Sequence, residues 1–474
     1  MVRREGSPLA FFFKNDESKA LYIQLYEYLK LEIKSGRLKV GEKLPSIRTL
    51  AFELKVSKQT IDSAYQQLLA EGYVESRPRS GLFVLPMEEI SQTITTPSSP
   101  TITTNDKSKI LVDFYYGAID KTKFPLKTWK RCISDALESS LNEVYFYGDR
   151  QGDIILREEI RKYVSKARGI QCSTEQIFIC SGTQQSIQLI AQLLELHNHQ
   201  VAIENPGYSE VCSVLKKYQC QVTPISLEED GISIEELQKS KAKAVYVTPS
   251  HQFPLGMVLP INKRLKLLTW AKEHSSFIVE DDYDSEFRYI GQPIPSLKSL
   301  DESDRVIYCG TFSKNFLPAA RCSYIILPES LVSKGKNTIE QSSQSCSPII
   351  QRALAIFMRE GFFEKHVRRM KVTYQAKHKA LLEAINKQIG ENGEIIGQRA
   401  GLHILLNLKS RRTEEIIQQA SDKGICIYSP SQHWFENENV PYIMLGFGGL
   451  TEQQIIDGIK VIGTLCKGES ELIK

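Results

Sequence analysis

No run of apolar residues in this 474-residue chain approaches the length of a bilayer span, and Met1-Val-Arg-Arg-Glu5 carries no apolar signal core before the polar stretch Lys14-Asn-Asp-Glu-Ser18. A membrane protein is not expected, and a cytoplasmic location is. Cysteine lacks pattern: the ten residues include no Cys-x-x-Cys pair and no Cys/His cluster at metal spacing. That excludes a disulfide frame and a zinc site, so the expectation is reduced, buried thiols and no bound metal. Strong charge of one sign is missing too, because the net charge is only +4. Its placement is uneven: residues 1–86 hold 14 Lys+Arg against 10 Asp+Glu, and the remainder is balanced. Only the first segment is therefore biased toward phosphates. The length exceeds one ordinary compact domain and predicts two or three units.

Leu21, Ile23, Leu25, Tyr28, Leu29 and Leu31 recur at helical spacing, with Gly36 as a stop. A short helix is expected after Ser46, with Ile47, Leu50, Ala51 and Leu54 facing inward, and a third from Ser57 to Ala70. Tyr73–Val84 reads as two short strands around a Pro/Ser/Gly turn. Residues 1–85 then form one unit, and the Thr/Ser/Pro-rich residues 86–109 a flexible linker. From 110 to 474, helical stretches alternate with apolar runs at 176–180, 200–203, 244–247, 277–279 and 305–308. Such alternation predicts an α/β domain with a mostly parallel central sheet and helices on both faces. Residues 402–406, 424–428 and 442–445 suggest strands of a smaller α+β C-terminal lobe.

Two short helices, a tight turn and a following hairpin make a winged helix-turn-helix. The second helix of the pair offers Ser57, Lys58, Gln59 and Thr60 at its start, where side chains reach base edges. Arg48 can reach backbone or a guanine, and Arg77 and Arg79 on the wing can flank the minor groove. The motifs Leu21-Tyr-x-Gln24, Gly41-x-x-Leu-Pro-Ser-x-Arg48, Val56-Ser57, Glu71-Gly-Tyr73 and Ser80-Gly81 resemble the GntR family of bacterial regulators, which implies a dimeric binder of a double-stranded DNA operator. Lys58 departs from the arginine usual there and trades a forked donor for a point charge.

In the second unit, Ser181-Gly-Thr183 lies between an apolar strand and a helix and can cradle a phosphate. Asp281 ends another strand, Tyr283 follows it, and Lys314 stands 33 residues after Asp281 within Gly310-Thr-Phe-Ser-Lys314, seven residues before Arg321. In this order and spacing they resemble the fold type I aminotransferases. The resemblance implies pyridoxal 5'-phosphate as cofactor and Lys314 as the catalytic lysine that forms the imine. It further implies Asp281 at the pyridine nitrogen, Tyr283 at the ring oxygen, Ser181, Gly182, Thr183, Ser313 and Arg321 at the phosphate, and Tyr208 stacked on the ring. With Glu204-Asn-Pro-Gly-Tyr208 and Val247-Thr-Pro-Ser-His-Gln-Phe-Pro-Leu-Gly256, the whole chain resembles the MocR/GabR subfamily, in which Phe253 stands where many aminotransferases carry asparagine.

Tyr442-Ile-Met-Leu-Gly-Phe447 holds no arginine for a ligand carboxylate, and Glu210 follows the stacking tyrosine. Arg150 and Arg399 remain candidates for that contact, and Tyr147 for a contact to a neighbouring subunit's phosphate. The expected function is a homodimeric, cofactor-dependent transcriptional regulator that senses a small amino compound, or pyridoxal phosphate itself. An active aminotransferase with an accessory DNA-binding module is the alternative.

Overall fold

In this computed structural model the described residues are 19–86, 110–139, 145–290, 294–340, 342–409, 413–436 and 440–468. The chain divides into two compact units, Met1–Thr104 and Asn105–Lys474. Of the expected linker, 86–109, residues 87–109 lie outside the described residues.

The first unit has helices Leu21–Lys34, Ile47–Leu54 and Lys58–Ala70 and an antiparallel hairpin, Val74–Arg77 with Gly81–Val84. Both predicted caps form: Ser46 Oγ accepts from the Thr49 N–H and Ser57 Oγ from the Thr60 N–H, each at 3.1 Å. These bonds satisfy donors that a helix start leaves open and so fix where each helix begins. Leu25, Leu29, Ile33, Leu50, Ile61, Ala64, Leu68, Val74 and Val84 meet in one core. Ile47 and Leu54 sit at its edge, half-buried.

The second unit is built on an eight-stranded sheet in the order Ile177–Cys180, Ser323–Ile326, Val306–Thr311, Phe277–Asp282, Ala244–Val247, Gln200–Asn205, Gln221–Glu228, Gly231–Ile232. From Val306–Thr311 through Gln221–Glu228 neighbouring strands are parallel, whereas Ser323–Ile326 runs antiparallel to both its neighbours. The apolar runs read without alternation because both faces are covered. Ile177, Ile179, Tyr308 and Ile326 pack with helices Leu126–Ser139, Ile154–Arg168 and Pro348–Arg359, while Phe178, Cys180, Ile307 and Ile325 pack with Thr183–Leu193 and Ser209–Lys217. The smaller lobe is an antiparallel sheet of Glu394–Ile396, His403–Asn407 and Tyr442–Gly446 against helices Phe362–Gln388 and Glu452–Gly468. The run at 424–428 forms the short strand Ile425–Cys426, which pairs in parallel with Val112–Asp113, and Tyr428 bridges Met444 of that sheet. Both strands bury one apolar residue, Ile425 and Val112, in the lobe's core, and nothing local to either run specifies the partner.

Among the described residues no helix is long and apolar enough to cross a membrane. Ser57→Ala should destabilise the helix Lys58–Ala70 by about 1 kcal/mol. Faster hydrogen exchange of its first-turn amides in the full chain would register this, and unchanged exchange would contradict the cap's role.

Candidate functional site

The site lies at the carboxyl ends of the parallel strands, where open α/β sheets leave a crevice. Strands Phe277–Asp282 and Val306–Thr311 pair in register, with Cys309 opposite Asp281, so the segment leading to Lys314 leaves the sheet beside that carboxylate. Alternation along the strand sends Asp282 elsewhere, to Arg168 Nε and the Tyr308 hydroxyl, each at 2.6 Å. Asp281 faces a cavity of about 310 Å³, also lined by Lys314, Thr183, Tyr208, Tyr283, Ser313 and Arg321.

Asp281 is buried and accepts a hydrogen bond from the Tyr246 hydroxyl, and no cation pairs with it among the described residues. Burial pushes its carboxyl up to about 7; Tyr246 opposes the shift, and Asp282, Asp284 and Glu280 add to it. Lys314 Nζ donates to the Tyr116 carbonyl at 3.2 Å and stands 5.3 Å from the Tyr116 ring centre. Burial brings this amine down to about 8, against the pull of Asp284 and Glu210. A carboxylate without a cation and an amine without a direct anion in one cavity fit a cofactor that carries a ring nitrogen and an aldehyde.

At the other end, Gly182 precedes the helix Thr183–Leu193 with φ of 127°. A Cβ there would lie 2.4 Å from Arg321 Nη2, so only glycine admits the guanidinium. Arg321 itself takes a left-handed φ of 46°. Ser313 is held by Thr311, whose Oγ1 accepts from the Ser313 N–H at 3.2 Å. Of the residues expected at a phosphate, Thr183, Ser313 and Arg321 line the cavity, with Gln184, while Ser181 does not. The N–H groups of Ser181 and Gly182 donate to Gln185 Oε1 and Ser323 Oγ.

Several lining groups escaped the sequence reading. Tyr246, Tyr116 and His403 reach the cavity from strands and loops far apart in the chain, and no spacing announces them. Tyr283 Oη lies 2.9 Å from His251 Nδ1, which also bonds Asp284 Oδ2 at 3.0 Å. Asp284 had the only local signal, as the end of Asp281-Asp-Tyr-Asp284. Phe253 lies edge-on to Tyr208 with centroids 5.4 Å apart. Arg150 and Arg399 are exposed and outside the cavity, so among the described residues Lys314 and Arg321 are the only lysine and arginine on its walls. Glu210 is half-buried and accepts a hydrogen bond from the Ser209 hydroxyl at 3.1 Å. Tyr147 is 89% exposed.

In the first unit, Arg48, Lys58, Gln59 and Arg79 are exposed. Ser57 and Thr60 bond each other through their hydroxyls at 2.8 Å, and Arg77 is held by Glu75 at 2.7 Å over the Phe83 ring. The freest side chains of the predicted DNA face are therefore Arg48, Lys58, Gln59 and Arg79.

The folded Asp281 carboxyl keeps its proton up to about pH 7 whereas an ordinary one loses it near 3.8, so its ionisation removes stability as pH rises through that window. Cofactor-free Asp281→Asn protein should therefore melt above the parent at pH 8, with the gap closed by pH 4. An equal or lower melting temperature at pH 8 would contradict the assignment.

Residues 21–84 match the bacterial regulatory proteins of the gntR family, and residues 110–435 match aminotransferase class I and II. The uncharacterized HTH-type transcriptional regulator YdeL of Bacillus subtilis is 40% identical over 449 residues, covering 94% of this chain and 97% of the relative. The probable rhizopine catabolism regulatory protein MocR of Rhizobium meliloti is 31% identical over 459 residues, covering 94% and 93%. A kynurenine aminotransferase of Pyrococcus horikoshii, 27% identical, superposes with a TM-score of 0.69 over 76% of this chain and 91% of its own. With a GntR winged helix ahead of an aminotransferase domain that takes pyridoxal 5'-phosphate, the chain belongs to the MocR/GabR-type regulators.

Proposed function

We propose that the protein is a cytoplasmic, homodimeric transcriptional regulator whose operator binding responds to amines that reach Lys314. The observation that carries this reading is the complete set of Lys314, Asp281 and Arg321 around one cavity in a chain that also bears a GntR winged helix.

Asp281, as the buried acid, would hold a proton on the pyridine nitrogen, which supplies the cation it lacks. Arg321, Ser313 and Thr183 would hold the phosphate, Tyr283 the ring oxygen, and Tyr208 the ring face. When bound, the cofactor supplies an aldehyde carbon that condenses reversibly with primary amines. Lys314, with its amine near pH 8, has a substantial neutral fraction at physiological pH and can give up its place to an incoming amine.

The walls favour a particular effector. Beyond the groups assigned to the cofactor they offer Asp284, with Glu210 near Tyr116, and aromatic faces from Tyr115, Tyr116 and Phe253. This lining suits an amine with a second cationic group better than an amino acid, whose carboxylate would meet Glu210 unpaired. It also disfavours turnover of amino acids, and so supports a sensor over an active aminotransferase. The exposed run Tyr145-Phe146-Tyr147, at 82, 73 and 89%, supports a second subunit covering that face. An effector shifts DNA occupancy only if it binds two conformations unequally.

Lys314→Ala should abolish a borohydride-quenchable absorption band and the amine response of operator binding, while leaving basal binding intact. If operator affinity still tracks added amine in this variant, the sensing role fails. Lys58→Ala should weaken operator binding and lower the salt dependence by about one phosphate contact, or relax preference at one base pair by about 1–3 kcal/mol; gel shifts at several salt concentrations separate the two, and parental binding would exclude Lys58 from the interface.

A further inference from the structure

A second cavity, of about 490 Å³, opens away from the cofactor site, between the end of helix Ile154–Arg168, residues 285–288 and one face of helix Phe362–Gln388. From the long helix come Glu364, Val367, Arg368 and Lys371, spaced three or four apart on one face; Lys166 and Arg288 complete the charged rim. Two other charged groups of this cavity are already engaged. Arg168 pairs with Asp282 at 2.6 Å, and Glu286 accepts from the Tyr163 hydroxyl and Asn315 Nδ2 at 2.6 and 2.7 Å. Lys166, Arg288, Arg368 and Lys371 have no ion pair among the described residues, against one unpaired carboxylate, Glu364.

Arg288 decides the matter. Its Nε and Nη1 are shielded from solvent and meet no acceptor, which is uncommon for a group with five donors that water would otherwise satisfy. Burial and the neighbouring Arg399 both press its guanidinium pKa down. Packing alone gives no reason to gather four cations here. The C-terminal end of helix Ile154–Arg168 accounts for Lys166 alone through its dipole. An anion with several acceptor oxygens would satisfy Arg288 and relieve the repulsion among the four. The volume suits a small metabolite rather than a bare ion.

We propose that this cavity binds a small phosphate monoester, recognised by Arg288, Arg368 and Lys371, as a second ligand site distinct from the cofactor site. Loading the protein with one equivalent of pyridoxal phosphate and removing the unbound excess by gel filtration fills the Arg321 end, which the cofactor absorption verifies, and leaves the second cavity free. Glycerol 3-phosphate, titrated at constant ionic strength into the full-length holo-protein, should raise the melting temperature saturably. Potassium chloride should not. The double variant Arg368→Gln/Lys371→Gln, on an exposed helix face, should raise the half-saturating concentration about tenfold or more, and Arg288→Gln should do the same, with the cofactor absorption unchanged in both. A linear salt-like response in the parent, or an unaltered titration in the folded double variant, would overturn the proposal. So would variants whose single defect is weaker operator binding, since the cluster would then face the DNA backbone.

Discussion

A buried carboxylate with no cation to neutralise it organises the large unit. Asp281 sits at the end of a central parallel strand, where neighbouring acids and low polarity both oppose its charge, and Tyr246 is the partner that steadies it. Such a group weakens the empty fold, and a cofactor ring nitrogen held there, as proposed, would turn that weakness into binding energy. The neighbouring features are compatible with that contact. The parallel register brings Lys314 alongside, the glycine at 182 makes room for Arg321, and Phe253 and Tyr208 close the sides.

Much of this was legible in the sequence, for physical reasons that differ between the units. The winged helix is specified locally: Ser46 and Ser57 accept from the amides their positions predict, and the apolar spacing of Leu25, Leu29 and Ile33 is the core face itself. In the large unit the strands between helices were readable as apolar runs, but Ser323–Ile326 was not, because it follows the site loop directly and turns back antiparallel. The pairing of Ile425–Cys426 with Val112–Asp113 was not readable, since it closes a loop of more than 300 residues.

The site shows the same division. Lys314, Asp281, Tyr283 and Arg321 belong to short segments with recognisable order, and topology gathers them on one cavity. Tyr246, Tyr116 and His403 are lone polar or aromatic residues in sequence, and only the crossing of strands and lobes makes them neighbours. Ser181 and Gly182 show the limit of a motif: the loop stands beside Arg321, yet their amides are spent on Gln185 and Ser323.

The direct test of the Asp281 contact is the nitrogen-15 chemical shift of ring-labelled pyridoxal phosphate bound to the full-length protein, followed from pH 6 to 9. A nitrogen that stays protonated across the range, and becomes unprotonated when Asp281 is replaced by alanine, is the predicted result. A ring nitrogen already unprotonated in the parent at pH 7 would contradict the account.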